Sequence, residues 1–237
     1  MTDFLRFLME TFAPYRGAAP LLARALGSVG DTRIIDLCSG GGGPWLDLVR
    51  RIPAEGGPAP RVLLTDWFPN RPAFARLQEM SGGAIAGDPD PVSATAVPAR
   101  LTGLRTLFTA LHHFPPAEAH AILADAARAR QSIAAFEVTS RSALALLGML
   151  FLPLLVVLLT PFIRPFRWSR LWWTYLVPLV PLAVWVDSTV SCLRTYSPEE
   201  LRDLVEDLQD GYQWEIGTVR SAPLPSRIIY LLGHPRS

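Results

Sequence analysis

The chain has 237 residues, half of them hydrophobic, and a formal net charge of +1. That length accommodates one well-packed α/β domain with an insertion, and the near-zero charge leaves no electrostatic case for nucleic acid as a partner. Two cysteines, Cys38 and Cys192, make no disulfide framework, and no Cys/His cluster has zinc spacing, so a reducing cytosol and no metal are expected.

Residues 3–12 place Phe4, Leu5, Leu8 and Phe12 on one helical face, with Asp3, Arg6 and Glu10 elsewhere. This predicts a helix packed over a ligand site or, alternatively, lying on a membrane surface. Scattered charge and the lack of a long apolar core distinguish the segment from a secretory signal. A second helix, from Pro20 to Gly27, leads into a buried strand, Ile34-Ile35, that ends in Asp36. Four glycines, 40–43, follow, and then a helix from Pro44 to Ile52 with Leu46, Val49 and Ile52 expected on the sheet side. Glycine permits positive φ and close approach of a ligand, and the bare N–H groups at a helix start favour a negative group. The loop is built to hold a cofactor. A dinucleotide loop requires a small third residue where this chain has Trp45 or Leu46, which disfavours an NAD-dependent oxidoreductase. A nucleoside-triphosphate loop requires a Lys-Ser/Thr pair, which is missing.

Past a Pro/Gly loop at 53–60, a second strand, 61–66, ends in Asp66, 24 residues after Gly42, and Trp67 and Phe68 come next. Asn70 can cap a helix carrying Phe74 and Leu77. Residues 81–100, rich in Gly, Pro and Ala, contain the weakest strand. A strand from Leu104 runs to Leu111-His112-His113, and Pro115–Ala129 reads as a helix with Ala119, Ile122, Leu123 and Ala126 inward. The strand at 132–138 carries Glu137. Ser197, Pro198 and Glu200 form a helix start of the capping-box type, and Tyr212–Val219 and Ser226–Leu232 read as strands.

In order and wording these pieces resemble the class I S-adenosylmethionine (SAM) methyltransferases. The carriers are Asp36-x-Cys38-x-Gly40-x-Gly42, the strand ending in Asp66, Leu104–Pro115, Ser132–Glu137 and Tyr196–Leu201. The resemblance implies a Rossmann-like α/β sheet of seven strands with helices on both faces and the last two strands antiparallel at one edge. It assigns residues 31–140 and 195–237 to a SAM-binding core and 1–30 to an N-terminal helical cap. SAM is then the cofactor and S-adenosylhomocysteine the product. Asp36, Cys38, Ser39, Gly40 and Gly42 would surround the amino-acid end of SAM, Asp66 the ribose, and Trp67 and Phe68 the adenine. Ser93 and Ala94 fall where relatives read the adenine amino group, usually with an acid; a backbone carbonyl or Asp90 is the expected substitute. Thr109 and Leu111 complete the cofactor side. Cys38 stands where the family carries a Gly-like residue.

For an oxygen acceptor the resemblance points to His112 or His113 as general base, the alternative being a histidine that only packs on the cofactor or caps the next helix. Glu137 would position the acceptor or take the proton.

Between Arg141 and Arg194 the pattern changes. Two apolar runs, Ala143–Ile163 and Leu171–Val186, flank Arg164, Arg167 and Arg170, and Asp187 is the only acid. The second run falls short of the roughly 20 residues needed to cross a bilayer. A full hairpin would also carry three arginines to the far side, against the positive-inside bias. Pro153, Pro161, Pro178 and Pro181 interrupt both runs. A shallow, monotopic hairpin at the cytoplasmic face fits, with Trp168, Trp172, Trp173, Tyr175 and Trp185 at headgroup level and the arginines on lipid phosphates. The alternative is an apolar homodimer interface or a lid. The whole reads as a SAM-dependent methyltransferase acting on a lipophilic, membrane-located small molecule or lipid, or else as a catalytically silent membrane scaffold of the same fold.

Overall fold

Aliphatic runs of three to ten residues form the strands of a single sheet: β1 (Arg33–Asp36), β2 (Arg61–Leu64), β3 (Ile85–Gly87), β4 (Leu104–Phe108), β5 (Ile133–Glu137), β6 (Tyr212–Ser221) and β7 (Ser226–Pro235). The computed structural model describes residues 2–163, 166–221 and 226–236. Strand order is β3-β2-β1-β4-β5-β7-β6, with the first five parallel and β7 antiparallel to both its neighbours. The order in which strands are added reverses at β1, with β2 and β3 lying on one side of it and β4 and β5 on the other, and such a switch opens a crevice beyond the carboxyl ends of the strands.

Ten helices accompany the sheet among the described residues: α1 (Thr2–Phe12), α2 (Ala19–Val29), α3 (Trp45–Ala54), α4 (Arg71–Met80), α5 (Pro116–Arg128), α6 (Ala143–Met149), α7 (Leu152–Leu159), α8 (Trp168–Leu171), α9 (Leu179–Arg194) and α10 (Pro198–Asp203). Because strand side chains alternate, Ile34 joins a core with α2, α3 and α4 on one face, while Ile35 joins a second core with α5 and α10 on the other. The stretch 88–103 forms no helix. Its Val92, Ala94, Val97 and Leu101 instead lie directly on the α5 side of the sheet.

Several sequence expectations shift. The buried face of α3 is Trp45, Leu48 and Ile52, and Leu46 and Val49 are only half-buried. The indole offers the largest apolar surface at the helix start, and its burial sets the rotation of the helix. Helix α2 ends at Gly30, in the left-handed conformation at φ +67°, not at Gly27. Helix α1 bridges two clusters: Phe4 is buried with Val156, Ile163 and Val184, with Phe7 and Leu8 against the same group, while Met9 packs against the core that contains Trp45. The side chains of Asp3, Leu5, Arg6 and Glu10 lie outside the described residues.

From Ala143 to Arg194 the apolar runs form bent pairs. Helices α6 and α7 meet at 45°, and the segment Trp168–Leu176, which ends in one π turn, meets α9 at 76°. Pro153 opens α7 and Pro178 caps α9, each removing a backbone donor where the direction changes. Among the described residues no single helix is long and apolar enough to cross a membrane. Arg164 lies outside the described residues. The base of the segment is tied to the sheet by the Thr139 and Thr195 hydroxyls, 2.6 Å apart, and by an ion pair between Arg141 and Glu200. Much of its apolar surface faces outward, with Leu144 81% and Trp168 78% exposed.

Candidate active site

The five parallel strands deliver their last residues to one edge. Asp36 closes β1 with its carboxylate buried. Thr106 Oγ1 donates to its Oδ1 at 2.7 Å and Ser39 Oγ lies 2.6 Å from its Oδ2. The backbone then turns sharply: Cys38 (φ +57°), Gly40 (φ +52°) and Gly42 (φ +100°) all adopt positive φ, and Ser39 N–H donates to the Thr65 carbonyl at 3.0 Å. The two glycines serve different needs. A Cβ on Gly42 would stand 1.9 Å from Leu77 Cδ1, so the loop is pressed against α4 there, whereas a Cβ on Gly40 would meet nothing within 4 Å. The Gly40 side of the loop is open, with room for a ligand to lie against bare backbone.

Asp66, two residues past β2, binds this loop to the next one. Its Oδ2 accepts from Gly40 N–H at 2.8 Å and its Oδ1 from Phe68 N–H at 2.9 Å. Trp67 and Phe68 stand exposed beside it, edge to face at 6.5 Å. Ser93 turns back on its own loop, 2.9 Å from Thr95 Oγ1 and accepting from Thr95 N–H at 3.3 Å. Ala94 is buried in the core and Asp90 is exposed. The acid at the end of β3 is Asp88, which is buried and paired with Arg100 at 2.9 Å. Ser93 and Ala94 therefore point to no open adenine-reading group.

Past β4 the chain makes one tight turn, 111–113. Thr109 sits at φ +46°, its hydroxyl bonded to that of Tyr15. The Leu111 side chain belongs to the core, and its N–H is taken by Glu137 Oε1 at 2.9 Å, which leaves that residue little to offer a cofactor. His112 and Glu137 are buried together, with Nδ1 2.8 Å from Oε2. A carboxylate only accepts, so Nδ1 carries the proton, and in the neutral ring the lone pair is at Nε2. Nε2 is shut away from solvent and has no hydrogen-bond partner. His113 is exposed, with its ring 4.2 Å from that of His112. Partial burial and the neighbouring His112 both pull its pKa below the ordinary histidine value.

The sequence reading missed Tyr15, Thr65 and Thr106. Thr106 left a trace as a hydroxyl inside the aliphatic strand Leu104–Phe108. Tyr15 left none, since it reaches Thr109 from 94 residues away. Burial, aided by the carboxylates of Glu137 and Asp36, pushes the Tyr15 pKa far up, so its hydroxyl stays protonated.

Burial also raises the Asp36 pKa to about 6, although the Ser39 and Thr106 hydroxyls hold it down in part. An acid with a pKa higher in the folded than in the unfolded chain favours folding below its unfolded value, near 3.8, and loses that contribution as pH rises to about 6. Relative to Asp36→Asn, the ligand-free protein should therefore lose about 2 kcal/mol of stability between pH 4 and 7. Urea unfolding of both proteins at several pH values measures this, and parallel curves would refute it.

No protein-family model matches the chain, and no curated protein matches it in sequence. Solved structures do share its fold. The plantazolicin methyltransferase BpumL, in complex with S-adenosylhomocysteine, superposes with a TM-score of 0.57 at 8% identity, covering 99% of this chain and 90% of that one. The mitomycin 7-O-methyltransferase MmcR gives 0.52 at 17% identity over 94% of this chain, which spans 54% of that enzyme's length. The methyltransferase domain of bacterial CtHen1-C gives 0.52 at 12% identity, covering 94% and 98%. The chain has the seven-stranded α/β fold of the SAM-dependent methyltransferases.

Proposed function

We propose that this chain is a SAM-dependent methyltransferase that methylates a hydroxyl group on a lipophilic acceptor at a membrane surface. The observation carrying the proposal is His112: one ring nitrogen is fixed by Glu137 and the other is buried without a partner. An orphaned buried acceptor costs stability, and a substrate hydroxyl would satisfy it. In this reading residues 31–140 and 195–237 are the SAM-binding core, 1–30 a cap and 141–194 the membrane-associating insertion.

The open Gly40 face, the Asp66 carboxylate and the exposed Trp67 and Phe68 fit the amino-acid, ribose and adenine parts of SAM. When bound, SAM supplies an electrophilic methyl group on a sulfonium. His112 takes the acceptor proton at Nε2 as the oxygen becomes nucleophilic, and Glu137 keeps Nδ1 protonated and stabilises the resulting imidazolium. Tyr15 and Thr109 close the site from the side of Asp36 and exclude water.

Support for a lipophilic acceptor comes from α9. Leu179, Leu182, Val186, Val190 and Leu193 are all exposed and recur every three or four residues, making one apolar stripe along the helix. The same helix packs on the 111–113 turn, and its Asp187 and Arg194 act electrostatically on His113. The stripe thus runs along the helix that borders the turn carrying the candidate base.

Calorimetric titration of SAM and S-adenosylhomocysteine tests the reading. Binding to the wild type should weaken about 10- to 100-fold in Asp66→Ala, the range for a lost charge-assisted hydrogen bond. Labelled SAM with hydroxylated lipophilic acceptors then identifies the product. Failure of the folded wild type to bind SAM would remove the enzyme and leave the scaffold.

A further inference from the structure

We propose that a groove at the amino ends of β1 and β2, on the opposite edge of the sheet from the candidate active site, binds a small amphiphilic carboxylate, an acid head on a medium-length hydrocarbon chain. The groove exists because one face of the sheet is incompletely covered. Parallel strands normally carry cover on both faces. Here the stretch 88–103 forms no helix, and its Val92, Ala94, Val97 and Leu101 cover that face only in part. Leu63 and Ala86, register partners on that face, stay half-buried. The cavity over them measures about 290 Å³, close to the lower end of the roughly 300–1,000 Å³ usual for small-ligand pockets.

Its walls divide by chemistry. Ile35, Leu63 and Ala86 stand in register across β1, β2 and β3 and make an apolar floor roughly 10 Å long at the ordinary strand spacing. Gly83 and Ala84 keep the β3 rim low. Two residues nearer the strand starts, on the same face, Arg33 and Arg61 are also register partners, so two guanidinium groups meet at one end of the floor. Arg100 and Thr102 line the cavity as well.

The neighbouring carboxylates are spent on two of these cations. Asp31 pairs with Arg33 at 2.9 Å, and buried Asp88 pairs with Arg100 at 2.9 Å. Arg61 is exposed and pairs with no carboxylate among the described residues. An anionic group seated at Arg61 supplies the counter-charge, and a guanidinium offers a carboxylate two donors in a fixed fork. Hydrocarbon laid over Leu63 and Ala86 takes their exposed apolar surface out of water. A neutral apolar molecule meets only the second condition and a short acid only the first, so floor and rim together specify the ligand class.

Calorimetric titration of octanoate, 1-octanol and butyrate into the full chain tests the proposal. Octanoate should bind at a single saturable site, about tenfold or more tighter than either of the others. Saturating SAM should leave that affinity unchanged, because the groove and the glycine loop lie at opposite ends of the strands. Arg61→Gln should weaken octanoate about tenfold. Ala86→Leu, whose larger side chain fills the floor, should abolish octanoate binding, with a thermal melt to confirm that the variant folds; if it does not fold, Arg61→Gln at its exposed position decides alone. Octanoate held as tightly by Arg61→Gln as by the wild type would assign it to the exposed apolar surface of residues 141–194 and overturn the groove. Equal affinity for 1-octanol would overturn the anionic head, and competition by SAM would move the ligand to the candidate active site and overturn the second one. A folded wild type that binds no octanoate would overturn the proposal outright, and SAM titration of the same sample keeps that result distinct from a failure of the proposed function.

Discussion

Replacing His112 with alanine is expected to slow methylation of an oxygen acceptor by roughly 10²- to 10⁴-fold, the usual contribution of a positioned general base, with SAM affinity unchanged. The loss should appear in kcat more than in KM, because Nε2 acts on a proton that is shared fully only in the transition state. Glu137→Gln probes the same unit differently. Its amide would present a donor or a weaker acceptor to Nδ1, and the proton could then move to Nε2, where the base needs a lone pair. In catalytic triads the comparable wrong-tautomer substitution costs about 10⁴ in kcat. Glu137→Gln should therefore approach His112→Ala in rate, and the double variant should be little worse than either, as for residues acting as one unit. Addition of imidazole to His112→Ala should restore part of the rate. A His112→Ala enzyme with wild-type kcat on a hydroxyl acceptor would remove the dyad from the mechanism and leave positioning alone to the protein.

The second large effect is expected from the two glycines of the β1 loop, and it should differ in kind between them. Gly42→Ala combines a backbone at φ +100°, which L-residues rarely adopt, with a Cβ only 1.9 Å from the buried Leu77 side chain. Backbone strain and forced repacking together should cost about 2–5 kcal/mol, a fall in Tm of roughly 5–20 °C for a chain of this size. Gly40→Ala has empty space around its Cβ and a φ of +52°, so its folding cost is about 1–2 kcal/mol. Its penalty should fall on SAM, whose amino-acid end would lie where the new methyl projects. Thermal melts and calorimetry separate the two. A Gly40→Ala protein that binds SAM like the wild type would place the cofactor elsewhere.

Coupling between the apolar segment and the site gives the proposed function its particular form. Phe4 shares one buried cluster with α7 and α9, and α9 also packs on the 111–113 turn. Burial that anchors one end of the segment thus also fixes the helix that borders the candidate base.

Much of this was legible in the chain itself, because local chemistry is written locally. The Asp36-to-Gly43 wording, the acid at 66, the capping box at Ser197 and the aliphatic runs foretold a parallel α/β sheet with an antiparallel edge, and the capping box forms as expected. The prolines at 153 and 178 foretold the bends in the apolar runs, whereas Pro161 stands at the start of a 3-10 turn and Pro181 is taken into the first turn of α9, where a missing N–H breaks no helical bond. Other features belong to tertiary structure alone. Which face of α3 is buried was settled by the bulk of Trp45 competing for the sheet, a comparison that periodicity does not weigh. The choice between two adjacent histidines came from Glu137, which reaches His112 across 25 residues and leaves His113 outside. Tyr15 meets Thr109, and α1 meets the apolar helices, only because the fold brings distant segments together. Sequence determined the elements and their order through hydrogen-bonding rules and apolar spacing along the chain. The reactive geometry was decided by long-range packing, where burial and charge at one residue depend on neighbours that the linear order does not name.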